Sequence, residues 1–448
     1  MASPKEALTK EDVLRLAEEQ RVRFILLQFT DILGVMKNVS IPVEQLPKAL
    51  EGQILFDGSS VHGFVRIEES DMLLKPDPAT YVSFPWLNGA RENTARLICD
   101  IYTPDGEPFA GCPRLTLKKV LLEAAAMGYS VNMGPEAEFF LFELDEHGRP
   151  TVRTYDQGSY FDHSPVDTGE AARRDMVITL QDLGFEIEAS HHETAPAQHE
   201  IDFRYADALS TADRMITLKL VVHIVAQRHG LHATFMPKPV SGIAGSGMHV
   251  HQSLFRGGAN AFDDPTGPYG LSRDCLTYLG GLLEHARGLT AITNPLVNSY
   301  KRLVSGYEAP VYIAWSEKNR SPLVRVPARR GLSTRLELRS PDPSCNPYLA
   351  MAAMVAAGLD GIRKGIQPPP PIQRNIYEMD LEERSRLGIG SLPANIEEAV
   401  EELLRDEVIA SAIGDHIVGR FVDAKRIEAN LYRTQVHQWE LDQYLSVF

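Results

Sequence analysis

The stretch Gly134-Pro-Glu-Ala-Glu-Phe-Phe-Leu-Phe-Glu-Leu constrains this chain more than any other. Side chains of a β-strand alternate between two faces, so Glu136 and Glu138 share one face with Phe140 and Phe142, while Ala137, Phe139 and Leu141 take the other. Two carboxylates side by side are unfavourable unless water screens them or a cation joins them, and the aromatic neighbours speak against a fully solvated face. On this stretch alone, a metal site and a charged sheet edge both stay open.

Three more segments carry polar residues in the same manner. Glu188, Glu193 and Glu200 surround a Pro-containing turn; His249 and His251 share a strand face after the glycine-rich Gly245-Ser-Gly; Arg335, Glu337 and Arg339 alternate along Thr334-Arg-Leu-Glu-Leu-Arg. Each segment by itself also reads as ordinary core or surface polarity. Together, with many carboxylates and few soft ligands, they predict a hard-oxygen cation site for Mg²⁺ or Mn²⁺ rather than zinc or copper.

The formal charge is −15, from 45 basic and 60 acidic residues. Such a field repels nucleic acid and anionic lipid, so neither is expected as a direct partner, and an anionic ligand needs a local basic site. Arg302, Arg320, Arg325, Arg329, Arg330, Arg335 and Arg339 supply one. Guanidinium groups grip carboxylates and phosphates through paired hydrogen bonds, which suits a carboxylated substrate together with a nucleotide. Divalent metal plus clustered arginine points to phosphoryl transfer. The chain has no G-x-x-x-x-G-K-[ST] loop and no kinase H-R-D and D-F-G set, so a P-loop or protein-kinase machine is excluded.

No run approaches the roughly 20 apolar residues of a membrane span, and the start Met1-Ala-Ser-Pro-Lys-Glu lacks a secretory layout; a cytoplasmic location is expected. Cys99, Cys112, Cys275 and Cys345 are far apart and read as buried, unpaired thiols. Apolar spacing predicts a helix over 5–20 capped through Thr9 and Asp12, then strands over 22–30, 37–41, 81–84 and 95–101. The Pro- and Gly-rich segment 103–113 marks a boundary, giving a small α+β domain over 1–108 and a large α/β domain over 109–448. Within the second, helices are predicted over 115–127, 168–183, 206–228, 272–290, 347–364, 396–404 and 423–441, and Pro368–Pro371 forms a stiff connector.

Phe56-Asp-Gly-Ser-Ser, Glu68-Glu-Ser-Asp-Met, Glu136-Ala-Glu-Phe-Phe, His191-His-Glu, Gly245-Ser-Gly-Met-His, Asn298-Ser-Tyr-Lys-Arg-Leu, Gly306-Tyr-Glu-Ala-Pro, Asn319-Arg-Ser and Asn346-Pro-Tyr-Leu resemble the motifs of bacterial type I glutamine synthetases, from about residue 10 to the C-terminus. The resemblance implies an N-terminal β-grasp-like domain, a catalytic domain whose curved antiparallel sheet forms a funnel, and a dodecamer of two stacked hexamers with active sites between subunits. It implies one metal on Glu138, Glu193 and Glu200, and a second on Glu136, His249 and Glu337. Glu188, Tyr205, His251, Ser253, Arg325 and Arg335 would line the ATP site, while Gly245, Arg302 and Arg339 would hold glutamate. ATP would phosphorylate the glutamate side chain with Arg320 offsetting charge; Asp57 of the adjacent subunit would bind ammonium, and Glu308 on a flap would take a further proton. Arg66 in Gly63-Phe-Val-Arg-Ile-Glu-Glu-Ser resembles the feedback-inhibited alpha subclass, and the flanks of Tyr377 differ from those of adenylylated members. The chain departs from the family pattern at Ala244, where many members have Asn, and at Ala197, where many have Gly. A γ-glutamyl-amine (polyamine) ligase, or a synthetase that also binds a nitrogen-control transcription regulator, is the alternative.

Overall fold

The computed structural model describes residues 8–61, 63, 71–87, 93–306 and 309–448. The chain opens with α1 (Lys10–Glu19), whose capping box exchanges hydrogen bonds between Thr9 and Asp12. β1 (Phe24–Thr30), β2 (Met36–Pro42), α2 (Leu46–Leu50), β3 (Ile54–Asp57), β4 (Asp71–Pro76), β5 (Val82–Ser83) and β6 (Thr94–Tyr102) follow. Among the described residues these strands form a six-stranded sheet, ordered β2-β1-β6-β4-β3 with β5 against β6. Val13 and Ala17 of α1 close one core with Ile25, Leu27, Leu97 and Ile101 of the sheet. β3 and β4, which the apolar pattern did not predict, are short strands that gain their order from this pairing.

The rest of the chain builds a second sheet. It runs through α3 (Pro113–Ala126), β7 (Ser130–Glu143), α4 (Glu170–Asp182), β8 (Ile187–His192), β9 (Gln198–Phe203), β10 (Ala206–Asp207), α5 (Ala208–Arg228), β11 (Leu231–Thr234), β12 (Met248–Arg256) and β13 (Ala259–Asn260). Next come α6 (Arg273–Glu284), α7 (Ala286–Thr293), α8 (Ser299–Arg302), β14 (Tyr312–Ser316), β15 (Pro322–Arg325), β16 (Leu336–Leu338) and α9 (Pro347–Lys364). α10 (Leu381–Arg386), β17 (Gly390–Ser391), α11 (Ile396–Arg405), α12 (Glu407–Ile413), α13 (Asp415–Arg433) and α14 (Gln438–Tyr444) complete it. The strand order is β17-β14-β15-β16-β12-β7-β9-β8, with β10 and β11 on β7 and β13 on β12. All neighbours are antiparallel except the parallel pair β14 and β15. Phe139, Leu141, Met248, Val250, Leu336 and Leu338 share one core with Met215 and Leu218 of α5 and Met351 and Val355 of α9. That burial leaves the opposite sheet face for polar residues.

Two helix predictions need correction. The run over 272–290 breaks at His285, whose ring is held between Asp360 and Asp406, giving α6 and α7. The run over 423–441 is α13, which starts earlier, at Asp415 after Gly414 (φ +91°), and a separate α14 opened by His437. The buried stripe Ile417, Val418, Phe421 and Val422 extends the helix N-terminally. The connector at Pro368–Pro371 is anchored by Trp315, whose Nε1 donates to the Pro369 carbonyl at 2.6 Å. All four cysteines are buried and unpaired. Among the described residues no helix is long and apolar enough to cross a membrane.

Candidate active site

The polar face is assembled by register. Across the β7–β12 ladder His249 lies opposite Glu136, across β7–β9 Glu138 lies opposite Glu200, and across β12–β16 His251 lies opposite Glu337. Four segments with little signal individually thereby become one surface. Phe140 and Phe142 continue the face of Glu136 and Glu138 but are fully buried, covered by Val240, Ile243 and Ala244. The sheet face is therefore apolar at one end and carboxylate-lined at the other.

Glu138, Glu193 and Glu200 are all buried and bring carboxylate oxygens within 4.8 Å of one another. Burial, together with the neighbouring Glu193, pushes Glu138 up to about 8, although the Gly247 N–H donating at 2.9 Å opposes this. Burial and the adjoining carboxylates, Asp202 first, likewise drive Glu200 well above the ordinary range. Three converging buried carboxylates, with the His191 ring at 2.9 Å from Glu193 and 3.7 Å from Glu200 as their near ion-pair partner, fit a hard divalent ion. Gln198 donates to Glu138 at 2.8 Å and to the Gly245 carbonyl at 3.2 Å, tying the cluster to the glycine-rich loop.

A second group surrounds Glu136. His251 Nε2 is 2.7 Å from its Oε1, and His249 Nδ1 lies 3.7 Å from Glu136 and 3.8 Å from Glu337. Glu136, His251 and Glu337 bring ligand-type atoms within 4.8 Å of one another, so His251, expected at the nucleotide, adjoins the same carboxylates as His249. Burial raises the Glu136 pKa, but both histidines outweigh it and hold the carboxyl well below its usual range. Glu337 is lowered too: burial opposes it, and the His249 and His251 rings and two arginines win. Arg325 donates to Glu337 in a short contact, and Arg339 donates to it at 3.3 Å.

Two cavities flank these carboxylates. The larger, about 200 Å³, is lined by Glu136, Glu188, Asp202, Tyr205, His251, Ser253 and Arg335 among others, and so collects five of the six residues expected at a nucleotide. Arg325 is the sixth, engaged with Glu337. Gly134 lets the strand pass close to Tyr205: a Cβ there would stand 3.1 Å from that of Tyr205, so the tyrosine would have to shift by a few tenths of an ångström. The smaller cavity, about 40 Å³, is lined by Glu138, Glu193, Ala244, Gly245, His249, Arg302 and Arg339 among others. Its loop runs so close that a Cβ on Gly247 would sit 2.5 Å from Arg302 Nη2, and one on Gly245 would sit 2.3 Å from the Pro237 carbonyl. Arg302 is buried and donates to the Ser340 carbonyl at 2.7 Å, while Arg339 keeps a buried Nε without an acceptor among the described residues. An anion fits that donor.

Asp57 ends β3, is exposed, and lines neither cavity; hydrogen bonds from Ser59 lower its pKa. Arg320 is exposed and interacts with Tyr160. Arg66 and Glu308 lie outside the described residues. Ala309, next to Glu308, accepts a hydrogen bond from the Tyr377 hydroxyl at 2.7 Å. Sequence reasoning missed Gln198 and Asp202, although both continue the period-two pattern of Glu200 along β9. It also missed Tyr160 and Phe161, which stack on each other and meet His191 edge-on beside Glu193. These sit on a loop, where no periodicity marks them.

The chain matches the model described as "Glutamine synthetase, beta-Grasp domain" over residues 21–104 and "Glutamine synthetase, catalytic domain" over 110–444. It is 57% identical to a glutamine synthetase of Staphylococcus aureus strain Mu50 over 446 residues, covering 99% of this chain and 100% of the relative. A Staphylococcus epidermidis glutamine synthetase is 56% identical over the same length and coverage. A solved chain from a GmaS/ADP complex superposes with a TM-score of 0.88 at 36% identity, covering 97% of this chain and 99% of that one. Plasmodium falciparum glutamine synthetase superposes with a TM-score of 0.86 at 25% identity, covering 97% and 98%.

Proposed function

The chain belongs to the bacterial type I glutamine synthetase family and is an ATP-dependent ligase that makes glutamine from glutamate and ammonia, and we propose that it does so through γ-glutamyl phosphate on the carboxylate-lined sheet face. The observation that carries this reading is the placement of two cavities on either side of one set of carboxylates, the larger with the expected nucleotide residues and the smaller with Gly245, Arg302 and Arg339. A nucleotide phosphate chain and a glutamate side chain would meet there. The solved relative in complex with ADP supports nucleotide binding on this fold, and the lining residues point to the larger cavity.

Clustered buried Asp, Glu and His residues form a divalent-metal type of site. In our reading, two or more Mg²⁺ or Mn²⁺ ions bind there, one on Glu138, Glu193 and Glu200 and one on Glu136, His249 and Glu337, with His251 adjacent. Bound metal supplies charge neutralisation for phosphoryl transfer. Glu188, Tyr205, Ser253 and Arg335 hold the nucleotide, and Arg325 joins them by releasing part of its hold on Glu337. Arg302, Arg339 and the Gly245 backbone fix glutamate so that its side-chain carboxylate faces the γ-phosphoryl group. Arg320 offsets the charge spread over the transferring oxygens. Asp57 of a neighbouring subunit takes a proton from ammonium, and Glu308 takes one from the tetrahedral adduct. Glutamine and phosphate then leave.

The same reading divides the chain into domains 1–108 and 109–448 and assembles it as two stacked hexamers, with exposed Asp57, which lines neither of the two cavities above, serving the site of a neighbouring subunit. In this reading Arg66 links glutamine feedback to the site, and a nitrogen-control regulator is the protein partner of the alternative in which the synthetase also binds one. A γ-glutamyl-amine ligase is the second reading, favoured by one observation: Ala244 lines the small cavity where many relatives carry Asn. Incubating the protein with glutamate, ATP, Mg²⁺ and competing ammonium or polyamines, then identifying the amide, tests both. Glutamine as the dominant product is expected; a polyamine amide formed in preference overturns the ammonia assignment.

A further inference from the structure

Behind the metal-type cluster, on the opposite side of the β8–β9 hairpin, lies a second buried polar group. Asp156, Asp167, His192 and His199 bring ligand-type atoms within 4.8 Å of one another. Their spacing alone would suit a cation, but a guanidinium already serves them. Arg173 donates to Asp167 at 2.7 Å and to His199 Nδ1 at 2.8 Å, and the Tyr155 hydroxyl meets His199 Nε2 in a short contact. His192 donates from Nδ1 to the Glu193 carbonyl at 2.7 Å and from Nε2 to Asp156 at 3.3 Å. Every ring nitrogen is engaged, and the acidic groups face Arg173 and His192. Among the described residues this is a closed hydrogen-bonded network.

Its geometry has a direction. The Asp156 side chain is fully buried and accepts the Ala197 N–H at 2.8 Å, the Gly158 N–H at 3.2 Å and the His192 ring. Ala197 is the turn residue between Glu193 and Glu200, and its φ of +61° is one that a side-chain-bearing residue adopts only when its surroundings hold it. His192 immediately precedes Glu193 and grips the Glu193 carbonyl. Asp156 therefore touches the metal-type carboxylates only through the backbone that carries them. It also anchors the 156–161 loop, where the Phe161 N–H donates to the His192 carbonyl at 3.1 Å.

We propose that Asp156 is a positioning residue for the metal site, fixing Glu193 and Glu200 through His192 and the Ala197 turn; this rests on reading Glu138, Glu193 and Glu200 as metal ligands. Partners behind metal ligands are typically worth about 10–100-fold in metal affinity. The test is Mn²⁺ binding to the full-length, nucleotide-free protein, followed by electron paramagnetic resonance. Asp156→Ala is expected to weaken binding about 10–100-fold, whereas Asp156→Asn, which still accepts from Ala197 and Gly158, is expected to stay within about threefold of the parent by keeping those bonds. Glu193→Gln is the control on the underlying reading. If Glu193→Gln leaves Mn²⁺ affinity unchanged, the metal assignment falls. If Glu193→Gln weakens it while Asp156→Ala binds like the parent, even with lowered thermal stability, the positioning role alone falls. Should Asp156→Ala not fold, His192→Gln takes its place: it cannot bridge both Asp156 and the Glu193 carbonyl, and parent-like Mn²⁺ affinity in that variant overturns the proposal.

Discussion

Glu138 and Glu200 stand directly opposite each other across the β7–β9 ladder, both buried. Like charges in that relation destabilise a sheet, so the metal-free fold carries a penalty that deprotonation enlarges. Burial raises Glu138 to about 8 and Asp202 to about 7, against ordinary values of 4.5 and 3.8. For acids raised in the folded state, stability is fully present below the unfolded pKa and is lost as pH rises through the folded one. Chelator-treated protein should therefore lose thermal stability between about pH 5 and pH 8, and saturating Mg²⁺ should flatten that decline. Glu138→Gln should stabilise the chelated protein at pH 8 and abolish the response to Mg²⁺. Melting curves with and without chelator decide; a pH-independent chelated protein would contradict the assignment.

The face bearing these carboxylates was legible because strand periodicity is a local property: Glu136 and Glu138 had to share a side wherever β7 was placed. Which strands flank β7 was not legible, because register between segments more than 50 residues apart is set by packing of Phe139, Leu141, Met248 and Val250 against the helices. The helix over 347–364 was recognisable from its unbroken apolar run and ends at the predicted residue. The break at His285 was not, since it depends on Asp360 and Asp406, contributed by two other parts of the chain. Motif resemblance, rather than periodicity, supplied the roles expected of Asp57 and Arg320, which sit on exposed segments.

His285 gives a second pH signature, of different origin. Burial works against its charge, but hydrogen bonds and attraction from Asp406 and Asp360 outweigh that and raise its pKa. A histidine raised in the folded state contributes stability that is complete below its unfolded pKa, near 6.5, and is lost as pH rises through the folded value. His285→Ala removes the ring between partly buried Asp406 and buried Asp360, the latter still paired with Lys364 at 2.9 Å, and should cost about 1–3 kcal/mol at pH 6, with a smaller loss at pH 9. Denaturation at both pH values checks the sign. An equal loss at both would show that the ring matters only for packing.

Arg114 joins the two sheets. From α3 it donates to Asp77 at 2.8 Å and Asp100 at 2.9 Å in the first sheet's domain, and to Asp213 of α5 at 2.9 Å. Removing one buried partner from such a cluster typically costs about 3–5 kcal/mol, because the charges left behind stay desolvated. Arg114→Met should therefore speed proteolysis in the 103–113 connection and lower the melting midpoint by several degrees. A parent-like cleavage rate would show that apolar contacts alone hold the two parts together.

The exposure of Asp57 calls for a mixing experiment. Asp57→Ala and Arg339→Ala proteins should each be nearly inactive, since each removes a group from every site. Reassembled together at equal amounts, random pairing gives intact sites at about one in four neighbour contacts if the site is shared between subunits. Roughly a quarter of parent activity is the expected ceiling. Reassembly demonstrated by labelled subunits, without return of activity, would place Asp57 in its own chain's site or outside the reaction.

The turn at Ala197 offers the sharpest test of how the hairpin is held. With φ at +61° and no exposed surface, the residue is in a backbone region that costs a non-glycine residue about 1–2 kcal/mol. Ala197→Gly removes that strain but also loses a buried methyl, worth about 0.8 kcal/mol, and frees the unfolded chain. The two effects nearly cancel, so the glycine variant should lie within about 0.5 kcal/mol of the parent and keep its metal response. Ala197→Val meets the same backbone with a branched side chain and no room beside it. Left-handed geometry is a true outlier for a β-branched residue, and overpacking adds about 1–3 kcal/mol, so the valine variant should be destabilised by roughly 3 kcal/mol. Because the Ala197 N–H must still reach Asp156, the turn would relax by moving the segment between Glu193 and Glu200. Stability should therefore fall together with Mg²⁺-dependent activity in Ala197→Val, and neither should fall in Ala197→Gly. Equal tolerance of glycine and valine in parallel melting and glutamine-formation assays would show that the turn does not constrain the carboxylates on either side.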